Sequence, residues 1–123
     1  MSPAVRLCSI LTVALLALAG CGSAGSNDAK TTTDSSGAQT IDITFKGSTV
    51  DPEGEKVKVK AGEPVTLHIT ADKPGEIHVH SSPEQQIEYA SGTTDKTLKL
   101  DQPGVVEVES HSLDKLILQL EVR

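Results

Sequence analysis

From Gln39 onward, apolar residues fall on every second position of the chain. Ile41, Ile43 and Phe45 alternate with polar neighbours, and Val57 and Val59 lie between Lys56, Lys58 and Lys60. Val65, Leu67 and Ile69 follow, then Ile77 and Val79, Ile87 and Tyr89, Leu98 and Leu100, Val106 and Val108, and Leu116, Leu118, Leu120 and Val122. A period of two is the signature of a strand with one buried and one wet face. Turn-forming stretches separate the runs: Asp51-Pro52-Glu53-Gly54, Ala61-Gly62, Lys73-Pro74-Gly75, Ser91-Gly92 and Gln102-Pro103-Gly104. No comparable window carries a helical period. The pattern predicts an all-β sandwich of seven to eight strands with an aliphatic core, since Phe45 and Tyr89 are the only aromatic residues.

The N-terminus follows another pattern. Arg6 precedes an apolar run from Leu7 to Leu18, and the small residues Ala19 and Gly20 stand before Cys21. The run is short of the about 20 residues that cross a bilayer comfortably, and it reads as a processing signal. "LAGC", Leu18 to Cys21, resembles the lipobox of bacterial lipoproteins. That resemblance implies cleavage before Cys21 and lipidation of its thiol, with more than one acyl chain, each buried CH₂ contributing about 0.8 kcal/mol. The alternative is a plain secretory signal cut nearby. On the lipoprotein reading Cys8 leaves with the signal, and the mature chain has no free thiol and no disulfide. It is expected on the extracytoplasmic face of the cell membrane, held by its lipid.

Between Gly22 and Ala38 the chain consists mostly of Gly, Ser, Thr, Asp, Ala and Asn, without a branched aliphatic or an aromatic residue. Such a segment buries too little apolar surface to offset its ordering entropy and reads as a tether. The expected division is therefore a signal peptide over 1–20, the lipidated cysteine and linker over 21–38, and one domain over 39–123. The formal net charge is −6 for the full chain and becomes one unit more negative when Arg6 is removed. An acidic domain repels nucleic acid and anionic lipid and attracts cations. The lysines of "KVKVK" read as protection of a strand edge.

Candidate chemistry lies in the histidines. In "GEIHVHSS", residues 75 to 82, His78 and His80 stand two apart on a predicted strand. Residues i and i+2 point to one face about 6.6 Å apart, so two imidazoles there can converge on one ion. His111, at the end of the strand from Val105, is a candidate third nitrogen donor, and Glu76 or Glu109 a candidate oxygen donor. This set suits Cu(II), Ni(II) or Zn(II), with copper favoured by the usual affinity order. If Ile77 and Val79 face the core, both histidines face solvent, where such pairs are common and idle. His68 reads as a surface residue. No catalytic activity is expected: Ser110 and His111 are adjacent on a strand and point to opposite faces, and no phosphate loop, HExxH helix or nucleophile elbow is present.

Three segments in order carry a further resemblance. "VKVKAGEPVTLHIT" (57 to 70), "GEIHVHS" (75 to 81) and "QPGVVEVESH" (102 to 111) resemble the strand–turn–strand opening, the first ligand region and the Pro-Gly strand of cupredoxins. The resemblance implies a cupredoxin-like Greek-key β-sandwich and places His78 at the family's first ligand histidine, in a pocket between loops at the end of the sandwich. It departs from the blue-copper pattern, because Ser110 occupies the thiolate position, His111 comes early, and no methionine follows. A blue-copper centre requires that thiolate. The expected function is copper or other divalent metal binding of a non-blue kind through His78, His80 and His111. The alternative is a metal-free interaction module at the cell surface, with a protein partner that the sequence leaves unnamed.

Overall fold

The computed structural model describes residues 29–123. The signal over 1–20, Cys21 and the linker up to residue 28 lie outside the described residues. Ten strands form two five-stranded sheets. The first holds β1 (Thr31–Thr33), β2 (Gln39–Lys46), β3 (Thr49–Asp51), β5 (Pro64–Ala71) and β8 (Gly92–Lys99), in the order β1-β2-β5-β8 with β3 also on β2. The second holds β4 (Glu55–Val59), β6 (Gly75–Val79), β7 (Gln85–Tyr89), β9 (Gly104–Ser110) and β10 (Lys115–Val122), in the order β4-β10-β9-β6-β7. The pairs β2/β5 and β4/β10 are parallel and the others antiparallel. Parallel neighbours cannot be joined by a tight hairpin, and here the connecting chain crosses between the sheets.

All eight runs of alternation are strands, and their apolar positions make the core. Ile41, Ile43, Leu67 and Ile69 of the first sheet and Ile77, Val79, Val108, Leu118 and Leu120 of the second are fully buried. Each such side chain contributes about 1.5–3 kcal/mol of burial. The two aromatics meet across the sandwich: Phe45 of β2 stacks on Tyr89 of β7, ring centroids 4.8 Å apart and planes 14° from parallel. Burial pushes the Tyr89 phenol above its ordinary pKa, and the nearby Asp72 carboxylate adds to the shift. Gly75 opens β6 where the Tyr89 ring occupies the space a Cβ would need.

β1 and β3 have no alternating signature, since Thr31–Thr33 has no apolar residue and Thr49–Asp51 has only Val50. Both are held by one edge of β2, β1 at Gln39–Ile41 and β3 at Thr44–Lys46. The strand β1 therefore lies inside the segment that composition marks as tether. The Asp34 carboxylate closes the turn after β1, accepting hydrogen bonds from the Ser36 hydroxyl, Ser36 N (2.8 Å) and Ala38 N (3.0 Å). Those bonds, the Ser36 hydroxyl first, lower its pKa.

The last strand departs from strict alternation. A bulge between Leu116 and Leu118 breaks the register with β9, and Ile117 and Leu118 are both fully buried while Leu116 is half-buried. One extra residue on a bulged strand turns a side chain to the other face. Gly54, with φ of +77°, donates its N–H to the carbonyls of Leu116 (2.9 Å) and Ile117 (3.0 Å) at that bulge.

Candidate metal site

Ile77 and Val79 are buried, so Glu76 and His78 project from the outer face of the second sheet, with His80 just beyond the strand end. On β9 the buried positions are Val106, Val108 and Ser110, which sends Glu107 and Glu109 to that same outer face. His111 follows at once and is exposed. The antiparallel register brings the two sets together: His78 is opposite Glu109, Val79 is opposite Val108, and His80 N donates to Glu107 O at 2.8 Å. Three histidines and two strand carboxylates thus occupy one patch. The pocket between loops that the resemblance implies for His78 is replaced by a site on a sheet face.

Within the patch, His80, Glu109 and His111 form a donor group. One ligand atom from each lies within 4.8 Å of the other two. Glu109 Oε2 stands 3.0 Å from His80 Nε2 and 3.6 Å from His111 Nε2. Ligands about 2.0–2.2 Å from a common ion lie roughly 3–3.5 Å from one another, a separation Glu109 nearly has from each imidazole, while the two imidazoles, centroids 6.1 Å apart, close on a cation by side-chain rotation. Two imidazoles and a carboxylate fit a borderline divalent ion. No Cys or Met occurs among the described residues, so they offer no soft sulfur donor.

His78 stands beside this group. Its Nε2 is 2.7 Å from Glu76 Oε1 and its Nδ1 is 3.2 Å from Glu84 Oε1, with Gln86 Nε2 at 3.1 Å from Nε2. Its ring lies 6.4 Å from that of His80 but stacks on His111, centroids 3.9 Å apart and planes 26° from parallel. The His-x-His spacing thus puts both rings on one side of the sheet, while convergence on a point comes from β9. Of the two expected oxygen donors, Glu109 joins the group and Glu76 holds His78.

Glu84 escaped the sequence reading because it sits in the β6–β7 turn, where a period of two assigns no face. Its Oε1 also lies 3.8 Å from His80 Nδ1, the nitrogen turned away from Glu109. Ser81 Oγ donates to Pro83 O at 2.7 Å and Gln85 Nε2 donates to Ser81 Oγ at 3.0 Å, which ties down the turn that carries it. A carboxylate hydrogen-bonded behind a ligand histidine fixes the tautomer and orientation of the ring, and at 3.8 Å Glu84 stands at ion-pair distance from His80, longer than that bond. Ser110 faces inward, fully buried, its Oγ 3.2 Å from Ser112 Oγ, while His111 faces out. His68 pairs with Asp95 on the outer face of the first sheet, away from the other histidines.

Hydrogen bonding to Glu84, and then to Glu76, raises the pKa of His78 above 6.5 against an opposing desolvation. A histidine pKa raised by folding adds stability that is fully present below 6.5 and is lost as pH rises through the folded value. NMR titration of the apo protein is expected to give His78 ring resonances a midpoint above 6.5. A midpoint at or below 6.5 would contradict the paired geometry.

No protein-family profile matches the sequence, and no curated protein is similar to it at a significant level. Solved structures do match the fold. The metal-binding domain of the Cu(I)-exporting P-type ATPase CopA of Streptococcus pneumoniae, solved with Cu(I), superposes with a TM-score of 0.58 at 14% identity, covering 80% of this chain and 99% of that one. A copper-binding protein solved in its apo form gives 0.59 at 12% identity, covering 80% and 100%. A purple cupredoxin from Nitrosopumilus maritimus gives 0.50 at 14% identity, covering 68% and 98%. The described chain is an all-β sandwich of the cupredoxin-like fold, and these neighbours are two copper-binding domains and a cupredoxin.

Proposed function

We propose that this protein is a lipid-anchored, extracytoplasmic copper-binding module that takes up a divalent ion, Cu(II) first, on His80, Glu109 and His111. The observation that carries the proposal is the convergence of one donor atom from each of these residues within 4.8 Å. The copper-binding neighbours support it at the level of fold, and the carboxylates of Glu76, Glu84 and Glu109 around the patch favour cations electrostatically. The donor set argues for a preference opposite to that of a soft-ligand Cu(I) site, because imidazole and carboxylate suit Cu(II) and the described residues include no thiol or thioether. The bound ion would be of a non-blue kind, and the role one of binding and handling rather than catalysis. Membrane attachment rests on the resemblance of Leu18 to Cys21 to a lipobox.

The test is a Cu(II) titration of the full chain in mild detergent, with Cys8→Ser and Cys21→Ser removing the only thiols. One equivalent should bind with a Kd on the order of 1 µM or tighter, about −8 kcal/mol. The EPR spectrum should be tetragonal with coupling to two nitrogens, without an intense blue absorption. Histidine resonances that follow protons but ignore copper would refute the metal reading and leave a metal-free interaction module as the function to pursue.

A further inference from the structure

His78 is the least exposed of the patch histidines, its side chain 12% accessible against 40% for His80 and 56% for His111. It is nevertheless outside the donor group. Both of its ring nitrogens are engaged by carboxylates, Nε2 by Glu76 and Nδ1 by Glu84, so a metal could reach either only by breaking an existing bond. What it offers to the site is a face. That face lies against the ring of His111 at a centroid distance of 3.9 Å.

His111 needs such a support. It follows the last residue of β9 and begins the turn to β10, in which Asp114 N donates to His111 O at 3.3 Å and Asp114 has a positive φ of 53°. No ladder bond with a neighbouring strand fixes its position, and more than half of its side chain faces solvent. Two soft torsions separate its ring from the backbone, and a ligand in that setting is spread over rotamers unless something limits it. The stack leaves Nε2 on the side of Glu109 Oε2, where the donor group converges.

We propose that His78 is a positioning residue: clamped at both nitrogens by Glu76 and Glu84, it stacks on His111 and presets that ring for the metal. The inference rests on the reading of His80, Glu109 and His111 as the metal site. Glu84 then serves both flanks of the site, since its carboxylate holds His78 and stands behind the outer nitrogen of His80. The strand histidine that looks most like a ligand in sequence acts instead as a platform for one.

The experiment compares His78→Ala with His78→Phe in the full chain bearing Cys8→Ser and Cys21→Ser. Phenylalanine keeps an aromatic face but has no nitrogen to coordinate, and Glu76 and Glu84 remain open to water at 42% and 54% exposure. Cu(II) affinity should fall about 10- to 100-fold in His78→Ala, the range for lost outer-shell support, and stay within about threefold of the parent in His78→Phe with the same two-nitrogen EPR signature. Equal loss in both variants would make His78 a ligand, and loss in neither would deny it any role; each result overturns the inference. A second readout needs no metal: ring-current shifts on the His111 resonances should disappear in His78→Ala and persist in His78→Phe. If the parent and His78→Ala show the same His111 shifts, the stack is not populated and the inference fails, whether or not copper binds. If copper binding alone fails in the parent, the proposed function falls while these shifts still decide whether the stack exists.

Discussion

Replacing both exposed donors, as His80→Ala/His111→Ala, is expected to weaken Cu(II) binding by more than about a hundredfold while the sandwich unfolds at an unchanged temperature. The affinity loss follows from the donor count. Two of the three converging atoms are removed, and the remaining Glu109 carboxylate is no better placed than many surface acids. Loss of outer-shell support alone typically costs 10- to 100-fold, so loss of two coordinating nitrogens costs more. The fold should be unaffected, because His80 and His111 are 40% and 56% exposed and neither belongs to the core. Surface substitutions away from packed features usually stay within about 0.5 kcal/mol. Competition titration against a chelator of known affinity, with thermal unfolding alongside, reads both halves. Retention of stoichiometric, tight binding by the double variant would place the ion elsewhere.

The largest effect on stability should come from Leu118→Ala, at about 2–5 kcal/mol. Leu118 is fully buried on β10, which is flanked by β4 and β9, and it pairs with Glu55 on one side and Val108 on the other. Removing three carbons there leaves a cavity that two sheets bonded to their neighbours cannot easily close. Against a typical domain stability of about 5–15 kcal/mol, the loss is a large fraction. Denaturant unfolding should show a lower midpoint with little change in slope. Val105→Ala, at a position 63% exposed on β9, is the matched control and should change stability by no more than about 0.5 kcal/mol. Equal losses for the two variants would contradict the assigned core.

Much of this architecture was legible because burial and alternation are the same fact seen twice. Ile41, Ile43, Leu67, Ile69, Ile77 and Val79 could be assigned to the core from the period alone, and the structure buries each of them. The period failed where pairing, not packing, makes the strand. Thr31–Thr33 buries no apolar side chain and Thr49–Asp51 only Val50, and both exist because β2 presents open backbone groups along an edge. It failed again at Ile117, where a bulge gives β10 two consecutive inward residues and no composition rule announces the extra one.

For the candidate site the division is sharper. Alternation on a single strand requires that Ile77 and Val79 face inward, that His78 therefore faces outward, and that Ser110 and His111 lie on opposite sides; all of this is local and could be read from residues 75 to 82 and 102 to 111. That β9 lies beside β6, with Glu109 opposite His78, is a tertiary decision. A two-residue slip would preserve every inward and outward assignment yet carry Glu109 and His111 together nearly 7 Å along the sheet, away from the His78 ring and the His80 imidazole. The spacing in the sequence determined which side of the sheet the imidazoles occupy. Only the packed sandwich, by choosing strand order and register over some thirty residues of separation, decided that His80, Glu109 and His111 meet and that His78 stands behind them.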